Sequence, residues 1–158
     1  MLALLDERLS PGFELFEYGS GFSTEYFARR CKRVISVEYD ATWYEKVKAK
    51  VPAHVTVVHV PIQDVQGYSG AIAGQATKFD VVLVDGAHRV ECLRAALPAL
   101  SESGVVILDD SSREEYRPGF EMMKAAGFRE ITLVGMKPTH PGMHSTTLFY
   151  RDRNCLGL

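Results

Sequence analysis

The residues best suited to chemistry stand where predicted strands end. The run Glu17-Tyr18-Gly19-Ser20-Gly21-Phe22-Ser23-Thr24 follows one β-rich segment. Its two glycines permit a tight turn and let a ligand approach the backbone closely. The helix that follows offers N–H groups and a positive dipole end to an anionic group. Glu38, 19 residues beyond Gly19, ends the next β-rich segment. A carboxylate there can accept two hydrogen bonds from a ribose diol. Strand, glycine bend, helix, strand and acid in this order predict a ribose-bearing cofactor lying across the first two strands. Ser20 and Ser23 in the bend, and Tyr39 after the acid, join the candidate cofactor contacts.

Further along, Asp85 and His88 follow a fourth predicted strand, and Asp109 and Asp110 follow a fifth. His88 is a candidate general base because imidazole titrates near neutrality; its alternative is a solvent-facing histidine at a helix start. Asp85 and Asp109 are the other candidates for handling a proton at the reacting centre. His140 and His144 flank Pro141-Gly142-Met143 and are expected in an exposed loop. Trp43 and Tyr44 read as helix packing and surface, with an adenine platform as the alternative. Arg29, Arg30, Lys32 and Arg33 read as a solvated helix end.

The elements that must hold these residues alternate between β and α. Predicted strands cover Phe13–Tyr18, Arg33–Glu38, His54–Val60, Phe79–Asp85 and Gly104–Asp109. Predicted helices cover about 23–31, 41–51, 88–100 and 118–126, with Asp40 placed to cap the second, Pro98 near the end of the third and Gly127 closing the last. Pro61–Thr77 reads as a loop with a short helix. Glu130–Met136 and Ser145–Arg151 are two strands joined by the loop Lys137–His144. That loop is too short for a helical crossover, so these strands should pair antiparallel. The expectation is a single α/β domain over 1–158, with seven strands and a mostly parallel sheet.

Composition removes several function classes. Eighteen basic against twenty acidic residues give a net charge of −2, which leaves no footprint for nucleic acid. No apolar run approaches the roughly 20 residues that span a bilayer, and no polybasic membrane anchor stands out. The opening MLALLDERLSPGF has two acids in its first seven residues and does not read as a signal peptide. Cys31, Cys92 and Cys155 form no metal-ligand spacing; an odd, sparse set suits a reducing cytoplasm.

The dinucleotide fingerprint G-x-G-x-x-G wants a glycine where Thr24 stands. An NAD(P)-binding oxidoreductase-type Rossmann protein is therefore the alternative, and a non-catalytic cofactor-binding module is another. The sequence as a whole resembles the class I S-adenosylmethionine-dependent methyltransferases. EYGSGFS at 17–23 is similar to their first motif, with Ser23 in place of the last glycine. VISVEYD at 34–40 is similar to their second strand and ribose acid. FDVVLVDGAH at 79–88 and SGVVILDD at 103–110 are similar to their fourth and fifth strands. The resemblance implies a Rossmann-like sheet in the order 3-2-1-4-5-7-6, with the last strand antiparallel and helices on both faces.

It also implies roles. Glu17 would sit near the methionine amino group, Gly19 and Gly21 would line S-adenosylmethionine, and Glu38 would hold the ribose. Relatives often place G-D-A against adenine where this chain has Val60-Pro61-Ile62. The backbone at Ile62, or the side chain of Gln63 or Asp64, is the substitute. Asp85, Asp109 and Asp110 are similar in placement to the magnesium site of catechol-type O-methyltransferases. Asp110 stands where those enzymes have asparagine, so Mg²⁺ is not the favoured reading and no metal ligand is assigned. The implied activity is methyl transfer to the oxygen or nitrogen of a small-molecule acceptor. Many relatives carry extra helices before the first strand; here only about Leu2–Leu9 is available, which leaves the pocket open, completed by another subunit or covered by a partner, and a homodimer is one expectation.

Overall fold

Seven strands form one sheet in the order β3-β2-β1-β4-β5-β7-β6. The computed structural model describes residues 1–137 and 140–158; the side chains of residues 137, 140 and 141 also lie outside the description. The strands are β1 (Glu14–Tyr18), β2 (Arg33–Glu38), β3 (Val55–His59), β4 (Phe79–Val84), β5 (Leu100–Leu108), β6 (Arg129–Lys137) and β7 (His140–Tyr150). The first five are mutually parallel, and β7 runs antiparallel between β5 and β6. The helices are α1 (Leu2–Arg8), α2 (Phe22–Ala28), α3 (Ala41–Lys48), α4 (Val65–Gly70), α5 (Arg89–Ala96) and α6 (Arg117–Ala125). The expected seven-stranded Rossmann-like architecture and strand order are thus present.

The order follows from the side chains. β4 is central and buried at every position except Asp80, as a strand covered on both faces must be. Asp80 is held by the Glu14 amide at 3.0 Å and the Ser101 hydroxyl at 3.0 Å, so its carboxylate ties β4 to its two neighbours. Two apolar layers flank the sheet. One contains Phe16, Tyr18, Tyr68, Leu93 and Met123; the other contains Leu5, Leu15, Phe27, Ile107 and Leu156. Asp40 caps α3 by accepting the Trp43 amide at 2.7 Å, and Pro98 lies in a 3₁₀ turn over Leu97–Ala99 that closes α5. α1 adds Leu5 to the second layer, and its Asp6 receives Tyr26 at 2.8 Å and Arg30 at 2.9 Å, both from α2 and its end.

The expected loop Lys137–His144 is corrected. The β6–β7 ladder continues from Ser145 through His144 and Met143, and the last pair is Lys137 with His140. Pro141 and Gly142 disfavour strand by propensity, and the register shifts there, between the Met136–Met143 and Lys137–His140 pairs that carry the ladder past them. His144 consequently sits opposite Gly135 in an ordered strand. The side chain of His140 falls outside the described residues.

Candidate active site

Parallel strands in a doubly wound sheet direct their carboxyl ends to one edge, and the loops there enclose the crevice where strand order reverses. β1 and β4 are adjacent at that reversal. Gly19 adopts φ +92°, and a Cβ placed on it would stand 2.9 Å from the Asp85 carbonyl and from Gly86 Cα. The β1 and β4 loops therefore touch backbone to backbone, which only glycine permits. Gly86 is bare for a second reason: a Cβ there would overlap the hydroxyl of buried Tyr68. Gly21 is different. Its backbone is extended at φ 176°, and its nearest neighbour is Trp43 Nε1 at 3.8 Å. Its lack of a side chain leaves room in the crevice rather than resolving a clash.

Glu38 organises the bend. Its Oε2 accepts the Ser20 amide at 2.9 Å, and its Oε1 accepts the Tyr39 amide at 2.9 Å and the Asp40 amide at 2.8 Å. A carboxylate has about four lone-pair sites, so three backbone bonds leave capacity for about one ribose hydroxyl. The expectation of two such bonds from one acid is reduced accordingly. Trp43 reaches back from α3, and its Nε1 donates to the Ser20 carbonyl at 2.7 Å. Read from sequence as packing, Trp43 instead forms a wall of the crevice. The signal was its position three residues after the helix-capping Asp40, on the turn nearest the bend.

The resulting cleft measures about 720 Å³ and includes Gly19, Ser20, Gly21, Glu38, Trp43 and Asp85 in its lining. That volume falls within the roughly 300–1,000 Å³ of small-molecule sites. Ser23 and Tyr39 also border it. Glu17 does not. It has no exposed surface and is covered by the hydroxyls of Ser23, Thr24 and Ser36. Ser36 donates to it at 2.7 Å and Thr24 at 2.5 Å, while the short Ser23 bond joins it to the cleft wall. Ser20 Oγ lies 2.7 Å from Ser36 Oγ, extending the hydroxyl chain. Burial raises the Glu17 carboxyl to about 7; the hydroxyl bonds pull it partly back, and Asp85 adds an upward push. Glu17 thus meets the cleft through Ser23 rather than directly. Thr24, where a third glycine was sought, is itself fully buried and serves this carboxyl. Ser36, a lone hydroxyl in the apolar run VISVE, was the overlooked sign of a buried polar cluster.

A second cavity, about 570 Å³, meets the first at Phe22, Ser23 and Asp85. Asp109 and Thr146 border it, and Thr146 donates to Asp109 at 2.7 Å. Asp85 faces Arg89 at 3.2 Å. Arg89 is almost wholly buried. Besides Asp85 it donates to the Gly86 carbonyl at 2.9 Å and to the Asp109 carbonyl. One guanidinium therefore pins the β4 loop to the β5 loop, using its fixed fork of donors. The sequence sign was a cation in the first turn of a helix, where the dipole disfavours positive charge.

His88 is not part of this junction. It adopts a left-handed conformation at φ 49° before α5, and its ring nitrogen lies 2.8 Å from the Ile62 carbonyl. It borders a third cleft of about 730 Å³, shared with Tyr39 and Gly86. The rings of Tyr39 and His88 both pack edge-on against Tyr68, at 6.2 and 6.1 Å. Ile62 and Gln63 are exposed on the loop after β3. The Ile62 carbonyl is engaged by His88, and Asp64 caps α4 by accepting the Gly67 amide at 2.8 Å. Asp110, at φ 46°, pairs with His144 at 3.0 Å and Arg113 at 3.7 Å. Among the described residues Asp85 meets Arg89, Asp109 meets Thr146, and Asp110 meets His144 and Arg113. Among the described residues no group of three His, Cys, Asp or Glu side chains is arranged to hold a metal ion, and Mg²⁺ gains no support.

The comparisons agree with this geometry. A methyltransferase-domain family matches residues 16–111, more than half of the chain and the stretch from β1 to the turn after β5. The chain belongs to this methyltransferase-domain family. Among solved structures it is similar to the O-methyltransferase TomG of Streptomyces achromogenes, involved in tomaymycin synthesis and solved with S-adenosylmethionine. The TM-score is 0.74 at 20% identity, over 95% of this chain and 78% of that one. A methyltransferase from Pyrococcus furiosus aligns with TM-score 0.68 at 19% identity, over 95% and 80%. Spermidine synthase from Thermotoga maritima aligns with TM-score 0.72 at 15% identity, over 97% of this chain and 57% of that one. No curated protein sequence matches the chain. Among the described residues no helix is long and apolar enough to cross a membrane.

Proposed function

We propose that this chain is an S-adenosylmethionine-dependent methyltransferase acting on a small-molecule acceptor. The observation that carries this reading is the junction of two cavities at Ser23 and Asp85, one built by the glycine bend and Glu38, the other entered separately. A transferase needs two substrates to meet while each keeps its own entrance. The donor fits the first cavity: Gly19 and Gly21 leave backbone open, Glu38 has a lone pair for one ribose hydroxyl, and Tyr39 beside Gly86 offers a ring and backbone to adenine. Bound there, S-adenosylmethionine supplies an electrophilic methyl group. The chain's own task is to hold the acceptor in line and exclude water. Asp85 and Asp109 stand at the acceptor side of the junction and are the groups placed to receive a proton or orient its donor. His88 serves the adenine side, through the Ile62 carbonyl, in this reading.

Trp43 is the sole tryptophan and a wall of the donor cleft, so its fluorescence reports binding. S-adenosylmethionine and its demethylated product should both perturb it saturably, and NAD should not. Glu38→Gln removes the negative charge that accepts three amides and should weaken donor binding by about 1.5–3 kcal/mol, the usual loss for a hydrogen bond to a charged group. Saturable binding of NAD without binding of S-adenosylmethionine would move the chain to the oxidoreductase-type alternative.

A further inference from the structure

We infer that the chain forms a two-fold dimer through the free edge of β6, with Val134 of one copy set against Val134 of the other. This goes beyond the methyl-transfer reading and stands independently of it. The sheet has two edges, β3 and β6. An edge strand presents a row of backbone N–H and C=O groups to any chain that can pair with them, and natural edges are blunted by short length, proline, charge or cover. β3 carries several of these devices. It spans five residues between Pro52 and Pro61, and the Tyr44 ring of α3 lies 5.5 Å from that of His59. β6 spans nine residues, and within it residues 131–136 hold neither a charge nor a proline.

The usual alternation of buried and exposed side chains is missing from this strand. Residues 132–136 are exposed without a break. Among the described residues nine large apolar side chains are exposed, and six of them gather at this corner: Leu133, Val134 and Met136 of β6, Met143 paired with Met136 from β7, and Leu2 and Phe22 beside them. Together they expose on the order of 700 Å² per chain, against the roughly 800 Å² that each partner gives to a standard stable interface. Self-pairing selects a second copy as the occupant. A two-fold axis normal to the sheet makes the two edges antiparallel and sets one residue against itself. With Val134 on the axis, the exposed run pairs entirely with itself: Leu133 meets the partner's Gly135, and Thr132 meets the partner's Met136. Large stands against small, and no charged residue enters the paired run. The assembly closes at two copies, because each chain spends its one open edge. Met136 also borders the cavity that joins the donor cleft at Ser23, so the second copy stands at its mouth.

Sedimentation equilibrium of the full chain, from low to high micromolar concentration, should show a species of twice the chain mass. Val134→Lys, at an exposed position, brings two like charges together on the axis and should raise the dimer dissociation constant at least about tenfold with the far-ultraviolet spectrum unchanged. Val134→Cys gives a second readout that keeps the edge uncharged. Directly opposed residues of antiparallel strands lie about 4.5–5.5 Å apart between Cα atoms, within the span of a disulfide. Oxidised glutathione should therefore link two copies through Val134→Cys, above the level of the parent with its own Cys31, Cys92 and Cys155. Thr132→Cys should stay at the parent's level, since its two copies stand four register positions apart. A chain that is monomeric at every concentration overturns the inference. So does a dimer that Val134→Lys leaves intact, or one that Thr132→Cys links as readily as Val134→Cys.

Discussion

Replacing Glu17 by glutamine isolates one buried charge. Glu17 has no exposed surface, and the side chains hydrogen-bonded to it among the described residues carry hydroxyls rather than a cation. Burial raises its carboxyl from 4.5 to about 7, against the pull of Ser23, Thr24 and Ser36 and with a smaller upward push from Asp85. In the unfolded chain it titrates near 4.5. Between these values the folded state binds more protons than the unfolded state. Stability from this group is therefore full below about 4.5, falls as pH rises toward about 7, and is lost above it. A displacement of this size corresponds to about 3 kcal/mol. Glutamine has nearly the same shape and does not titrate. Its altered hydrogen bonds to the three hydroxyls add an offset that is the same at every pH. Urea denaturation of parent and Glu17→Gln at matched pH values from 4.5 to 8 removes the other titrating groups by difference. The variant should gain about 3 kcal/mol relative to the parent across that range. Parallel stability curves would refute the claim that this carboxyl is held neutral-preferring by burial.

The two glycines of the bend should separate folding from binding. Gly19→Ala places a Cβ 2.9 Å from the Asp85 carbonyl on a positive-φ backbone and should cost about 1–3 kcal/mol of stability by denaturation. Gly21→Ala meets nothing closer than Trp43 Nε1 at 3.8 Å, so its melting temperature should hold while S-adenosylmethionine binding, read by Trp43 fluorescence, weakens. Arg89→Met keeps the length of the stem but leaves the Gly86 and Asp109 carbonyls and the Asp85 carboxylate without its donors. Loss of about 2–4 kcal/mol in urea denaturation is expected; a change within 0.5 kcal/mol would mean that the guanidinium does not tie the two loops.

Much of the framework was legible from local pattern. β1 and β4 are short, mostly apolar runs closed by Gly19 and Asp85, β2 ends on Glu38, and the sequence boundaries of β2 coincide with the structure at Arg33–Glu38. The 19-residue interval from Gly19 to Glu38 placed both on one crevice, because a strand-turn-helix-strand unit has little freedom in where its strand ends fall. The hairpin extent was not legible, since Pro141 and Gly142 oppose strand formation locally and the ladder passes them by a register shift between its Met143 and His140 pairs.

Three features of the site belong to tertiary structure alone. Glu17 looks like a ligand contact in its motif, yet Ser36 from a neighbouring strand and Thr24 from the next helix enclose it. His88 stands three residues after Asp85, but a left-handed turn sends its ring to the Ile62 carbonyl and away from the acceptor cavity. Trp43 and Arg89 enter the site from helices, and sequence pattern alone does not name the Ser20 and Asp109 carbonyls they bind. The physical reason is common to all three. Strand order and loop position follow from backbone hydrogen bonding and apolar burial, which repeat along the chain. The partner of a buried polar side chain depends on which distant segment fills the remaining space, and that is decided only when the layers close.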